Sequence, residues 1–206
     1  MVKPLRLAQN FYARDAREVA QALLGKHLRH GQVVLRITEV EAYVWPDDSA
    51  NHCSVGRTKR NAAMWGPAGH AYVYVCYGMH HMLNVVTNQE GEGAAVLIRS
   101  AEPIAGLVQI RKRRRGLQGP VLLTGPGKVA AALGIDGSFN GQPLFMPGGL
   151  ELLDGASPSG MLVGPRVGID SARYKDRRAP WRFAVADNPW VSYPKLLRCA
   201  EHPTRT

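Results

Sequence analysis

The run QVVLRITEVEAY (32–43) constrains the fold of this chain more than any other stretch. Val33, Leu35 and Ile37 alternate with Val34, Arg36 and Thr38, the two-residue period of a β-strand with one buried face. Carried to its end, that period places Val33, Leu35, Ile37, Glu39, Glu41 and Tyr43 on one side. A face that begins as core and ends in two acids and a phenol describes a strand leaving the core for a cleft. Such a strand needs a sheet around it.

The rest of the chain supplies one. ARDAREVAQALL (13–24) reads as a helix stopped by Gly25. The polar stretch 45–70 is too long for an ordinary connection, and loops of that length are usually functional. AYVYVCY (71–77) and HMLNVVT (81–87) are β-like runs that Gly78-Met79-His80 joins as a hairpin. EGEG (90–93) turns the chain into AAVLIRS (94–100), and Pro103 opens an expected helix ending at Gly116. The basic run Arg111–Arg115 falls in its last turns, as a solvated face or a phosphate patch. TGPGKVAAALG (124–134) predicts a turn feeding a helix from Pro126 to Leu133. It is not a nucleotide P-loop, because Leu122 and Val129 stand where Gly and Ser or Thr belong. Short strands follow around 150–153, 161–164 and 182–187. The expectation is an α+β fold, with residues 1–206 forming one domain.

Charge narrows the partner. Twenty-six Lys and Arg against 16 Asp and Glu leave a formal +10, which suits a polyanion such as nucleic acid. No run approaches the length of a membrane span. The start, MVKPLRLAQNFY, lacks the apolar core of a signal peptide, so a cytoplasmic or nucleoid location is expected, away from membranes. Cys53, Cys76 and Cys199 are odd in number and widely spaced, which argues for free thiols.

Two constellations carry chemistry. Glu39 and Glu41 fit either a two-carboxylate glycosidase or an internal ion pair. With Asp47, Asp48 and His52 they also form an oxygen-rich set with one imidazole, though no metal-binding spacing supports it. In AYVYVCYG, Tyr72 and Tyr74 share a face, while Tyr77 and Met79 at a hairpin tip have little core to enter. Exposed there, they could wedge between stacked bases. Asn84 and Arg99 are polar groups in apolar strands and must bond internally or serve a ligand.

The stretches TEVEAY, GRTKRN, MWGPAGHAYVYVCYGMHHMLNVVT, GAAVLIRSAEP, TGPGKVAAALGID, GPRVGID and APWRFAVADNPWVS, in that order, closely resemble the alkyladenine (3-methyladenine) DNA glycosylases of mammalian type. The resemblance implies a curved, mostly antiparallel sheet with flanking helices and a protruding hairpin that inserts into DNA. It implies a monofunctional base-excision enzyme acting as a monomer on duplex DNA with damaged purines, using no metal and no cofactor. Glu41 matches the acid that deprotonates the attacking water, and Arg99 an arginine near that water and the sugar-phosphate. Tyr43, His52 and Tyr74 match the base pocket, Asn84 the residue discriminating against guanine, and Tyr77, with Met79 beside it, the intercalating tip. For Glu39 it assigns no catalytic role as firm as that of Glu41. Lys59 and Trp65 stand where the family commonly has Pro and Phe.

The chemistry fits one acid. A purine alkylated at N3 or N7 is already cationic and leaves as a neutral base. What remains is a water and one carboxylate to orient it.

Overall fold

The computed structural model describes residues 5–200. Helix α1 (Ala16–Leu23) starts where the Asp15 carboxylate accepts from the Arg17 amide at 2.8 Å. Gly25, at φ 84°, turns the chain out of it into β1 (His27–His30). Strand β2 (Val33–Tyr43) is the long alternating run. A loop with two 3₁₀ turns then leads to β3 (Ala71–Cys76) and β4 (His80–Val86). Strand β5 spans Ala95–Ala105, followed by α2 (Leu107–Arg113) and α3 (Pro126–Leu133). Strands β6 (Leu150–Leu153) and β7 (Met161–Gly164), helix α4 (Tyr174–Arg178), and strands β8 (Arg182–Val185) and β9 (Arg198–Cys199) complete the described chain.

All the strand pairs are antiparallel, in the order β3-β4-β5-β2-β8-β7-β9, with β1 lying between β2 and β6. Helices α1, α2 and α3 close the core on one face of the sheet. This is the expected α+β architecture. Among the described residues, no helix is long and apolar enough to cross a membrane.

Strand β2 departs from its sequence pattern at the point that matters most. One flank pairs with β1 through Arg36, then with β8 from Glu39. On the other flank, its register against β5 slips at Ile37/Glu39 and slips back at Glu39/Val40. Thr38 on β2 and Arg99 on β5 are the two extra residues, a pair of compensating bulges. The core side therefore runs Val33, Leu35, Ile37, then Val40 and Ala42. Glu39, Glu41 and Tyr43 turn to the opposite face. The shared face read from simple alternation is thus corrected: one inserted residue inverts the parity of all that follows.

The helix expected from Pro103 also begins later. Beyond Leu97, β5 has no partner from β4, and past the isolated bridge between Ser100 and Thr124 its outer side is a strand edge, where proline is tolerated. The strand continues through Pro103, opposite Leu35, and stops at Gly106, whose φ is 77°. A Cβ there would come within 2.7 Å of the Gln32 carbonyl oxygen. At the hairpin, Tyr77 and Gly78 both have positive φ (51° and 68°), as the inner residues of a type I′ turn require. The turn is therefore Tyr77-Gly78-Met79, and His80 belongs to β4. Within the basic run, Arg113 and Arg114 are used structurally, donating to Ala132 O (2.8 Å) and Leu122 O (3.0 Å).

Candidate active site

The face opposite the helices holds a pocket of about 580 Å³, within the range of small-molecule sites. Tyr43, His52, Tyr72, Tyr74 and Asn84 line it, with Arg60 and Cys76 also on its wall. Strand β3 delivers Tyr72 and Tyr74 two residues apart, so their rings lie 5.5 Å apart on one side. The loop after β2 returns His52 edge-on to Tyr74, with ring centroids 4.5 Å apart. The Tyr72 hydroxyl lies 2.9 Å from His52 Nδ1. Burial pushes the Tyr72 phenol well up, and the ring tautomer of His52 sets which of the two groups donates. Burial, with Arg60 adding to it, holds His52 below the usual imidazole range.

Tyr43 forms the pocket wall nearest the acids. Its hydroxyl donates to Glu41 Oε2 at 3.0 Å. Burial first, then the carboxylate beside it, pushes the Tyr43 phenol well above its ordinary value. Behind the ring sits Arg166, with its guanidinium carbon 4.6 Å from the Tyr43 centroid and 4.9 Å from that of Trp181. Asp48 grips that guanidinium at 2.5 and 2.7 Å, and both side chains are fully buried.

Glu41 lies one hydrogen bond behind the wall rather than on it. It is fully buried, and besides Tyr43 it meets two donors at Oε1: the Val167 amide at 2.7 Å and Arg99 Nη1 at 3.2 Å. The bulge that inverts β2 delivers Glu41 here, and its partner bulge carries Arg99 beside it. Asn84 is buried at the pocket, with its amide nitrogen donating to Tyr72 O and Met82 O. Tyr77 and Met79 stand apart from the pocket on the hairpin tip, 86% and 71% exposed.

The structure thus brings Glu41, Arg99, Tyr43, His52, Tyr74 and Asn84 into one site and sets Tyr77 and Met79 on a separate wedge. Sequence reasoning assigned no role to Asp48–Arg166, the Val167 amide, Tyr72, Arg182 or Ser192. An arginine inside the apolar run RFAV was the available signal for Arg182, since such a charge must be paired. Among the described residues, no group of three or more His, Cys, Asp or Glu can hold a metal ion.

A carboxylate behind an aromatic slot, on a basic protein with an exposed aromatic hairpin tip, is an arrangement suited to an enzyme that acts on bases of nucleic acid. Residues 10–189 match the family model described as methylpurine-DNA glycosylase. A putative 3-methyladenine DNA glycosylase of Nitrosococcus oceani is 61% identical over 192 residues, covering 93% of this chain and 96% of that protein. The DNA-3-methyladenine glycosylase of Arabidopsis thaliana is 57% identical, covering 90% and 73%. A putative 3-methyladenine DNA glycosylase of Methanocella arvoryzae is 42% identical, covering 90% and 95%. The chain belongs to the methylpurine-DNA glycosylase family.

Proposed function

We propose that this chain flips alkylated purines out of duplex DNA and hydrolyses their N-glycosidic bond with a water activated by Glu41. Its activity is that of a 3-methyladenine DNA glycosylase in base-excision repair, and DNA is the substrate. A metal-dependent hydrolase and a non-enzymatic nucleic-acid-binding module are not favoured. The observation that carries the mechanism is the placing of Glu41: one carboxylate, aligned by the Tyr43 hydroxyl, the Val167 amide and Arg99, directly behind the tyrosine wall.

The chemistry is short. Water oxygen bonds to C1′, the bond from C1′ to the purine nitrogen breaks, and its electron pair leaves with the base. The water proton goes to Glu41. A cationic alkylpurine takes up that electron pair as a neutral molecule, so no second acid is required. Flipping costs roughly a few kcal/mol of unstacking and unpairing. Tyr77 fills the gap in the stack, with Met79 beside it. Tyr43 on one side, and His52 and Tyr74 on the other, hold the base. Asn84 meets its edge and discriminates against the guanine amino group. Glu41 is covered in the free protein, so the lodged nucleotide must displace part of that cover to admit the water. The protein works as a monomer on chromosomal DNA in the cytoplasm or nucleoid, without a cofactor.

The test is release of free base from duplex DNA containing 3-methyladenine, 7-methylguanine or hypoxanthine. The wild type should release alkylated base in excess EDTA and leave the backbone intact until alkali. Glu41→Gln should bind the same DNA and release nothing measurable. Wild-type rates in Glu41→Gln would remove Glu41 from the mechanism, and loss of wild-type activity in EDTA would revive a metal-dependent one.

A further inference from the structure

Glu39 is fully buried, lies outside the pocket lining, and has the densest set of polar partners around any acid in the described chain. Its Oε1 accepts from Arg99 Nε at 3.1 Å and Ser192 Oγ at 2.9 Å. Its Oε2 accepts from Ser100 Oγ and the Ser192 amide, both at 2.7 Å. Arg182 Nε lies 3.3 Å from Oε1 as a buried ion pair. Arg182 Nε and Nη1 make no hydrogen bond, so the Glu39 charge is the main compensation for that cation.

Arg99 is the shared element. One edge of its guanidinium meets Glu39 and another meets Glu41, 3.2 Å away. The result is an alternating row, Glu41–Arg99–Glu39–Arg182, with two charges of each sign. A single ion pair would have sufficed to satisfy Arg99. The second carboxylate and second guanidinium lie outside the pocket lining, and both are fully buried.

We propose that Glu39 is a positioning residue for Glu41: it holds Arg99 back and offsets Arg182, so that Glu41 faces part of one cation and not two whole ones. The inference rests on the reading of Glu41 as the base. The other groups facing Glu41 are Tyr43 on its own strand, Tyr74 on β3, and Arg166 with the Val167 amide from the segment after β7. Arg182 faces it from β8. Arg166 is already matched by Asp48, so Glu39 is the group that sets the remaining balance.

Neutralising Glu39 has a defined sign. Arg99 would close on Glu41 while Arg182 lost its counter-charge, and both changes disfavour protonation of Glu41. Residues two apart on a strand lie about 7 Å from each other. At an effective dielectric near 20, a unit charge at that distance moves a titration by on the order of one pH unit.

The experiment is the pH profile of single-turnover release of 7-methylguanine, read on the acid side of its own N1–H titration, where the leaving group stays cationic. In Glu39→Gln the acidic limb should move down by about one unit and the plateau rate should fall by up to about tenfold. Glu39→Gln with Arg182→Met removes one charge of each sign and should return the limb part of the way to the wild-type position, since Arg99 stays released. Glu39→Asp keeps the charge but withdraws it, so the limb should move down by less, and this variant decides the matter if the others fail to fold. A limb that stays in place or moves up in either folded single variant, or a double variant displaced like Glu39→Gln, overturns the proposal. Base release by Glu41→Gln would instead sink the underlying reading. An inert Glu41→Gln with an unmoved limb in the Glu39 variants sinks only this inference.

Discussion

Replacing Asp48 with Ala should cost this protein more than any change at its surface. The carboxylate grips Arg166 Nη1 and Nη2 at 2.5 and 2.7 Å, and neither side chain reaches solvent. It also accepts from the amides of Val44 (3.3 Å) and Ala50 (3.0 Å). Its removal leaves a buried guanidinium whose Nε already lacks a partner. Breaking a buried pair in this way costs about 3–5 kcal/mol, against a total stability of roughly 5–15 kcal/mol. For a chain of this size that is a drop of about 6–20 °C in Tm. Urea unfolding followed by circular dichroism reads the loss directly, with the m-value unchanged if the transition remains two-state. Because Arg166 backs the Tyr43 ring, affinity for lesion DNA should fall as well. The double variant Asp48→Leu with Arg166→Met removes both charges and should regain most of the loss. A loss below about 1 kcal/mol in the single variant, or a double variant no more stable than the single one, would refute the assignment of this pair as a coupled support.

Tyr77→Ser should separate flipping from folding. The side chain is 86% exposed, so stability should change by no more than about 0.5 kcal/mol. Loss of one stacking ring should weaken lesion binding by about 1–3 kcal/mol, measured with 2-aminopurine fluorescence beside the lesion. Unchanged flipping would take the wedge role from Tyr77. His52 gives a pH dependence of fixed sign. Its folded value is depressed by burial and by Arg60, whereas the unfolded chain titrates near about 6.5. The unfolded state therefore binds more protons as pH falls below that value, and stability declines toward acid. His27 is depressed in the same direction, so His52→Gln should remove part of that decline and leave its sign unchanged. Identical slopes in the two proteins would contradict the buried, neutral imidazole.

Much of the fold was legible because local rules and tertiary structure agree. Helix α3 runs from Pro126 to Leu133 as its proline and Gly134 dictate, and β6 and β7 fall on LELL and MLVG. The hairpin was readable from two β-branched and aromatic runs around a glycine. The misses have physical causes. Pro103 looked like a helix start because nothing in the sequence says that β5 has become a sheet edge there. HLRH (27–30) has little alternation of its own, and β1 exists because β2 and β6 flank it. Helix α4 is short and polar, and the buried Asp176 holds it in place by accepting from the Ser49 amide and hydroxyl and from Arg173.

The division is sharpest at TEVEAY. By itself, the sequence determined that a strand carries two acids and a tyrosine, that the protein is basic, and, through long motifs, which acid matches the family's base. Composition and spacing left Glu39 and Glu41 equivalent. Tertiary structure gave them different surroundings, because a bulge is a property of two strands in register and cannot be read from one. Thr38 and Arg99, each unpaired in its ladder, turn the acids off the core face and bring one guanidinium between them. Glu41 then meets the tyrosine wall, and Glu39 is sealed among Ser100, Ser192 and Arg182. The parity of a strand is local, but the point where it breaks is set by its neighbours.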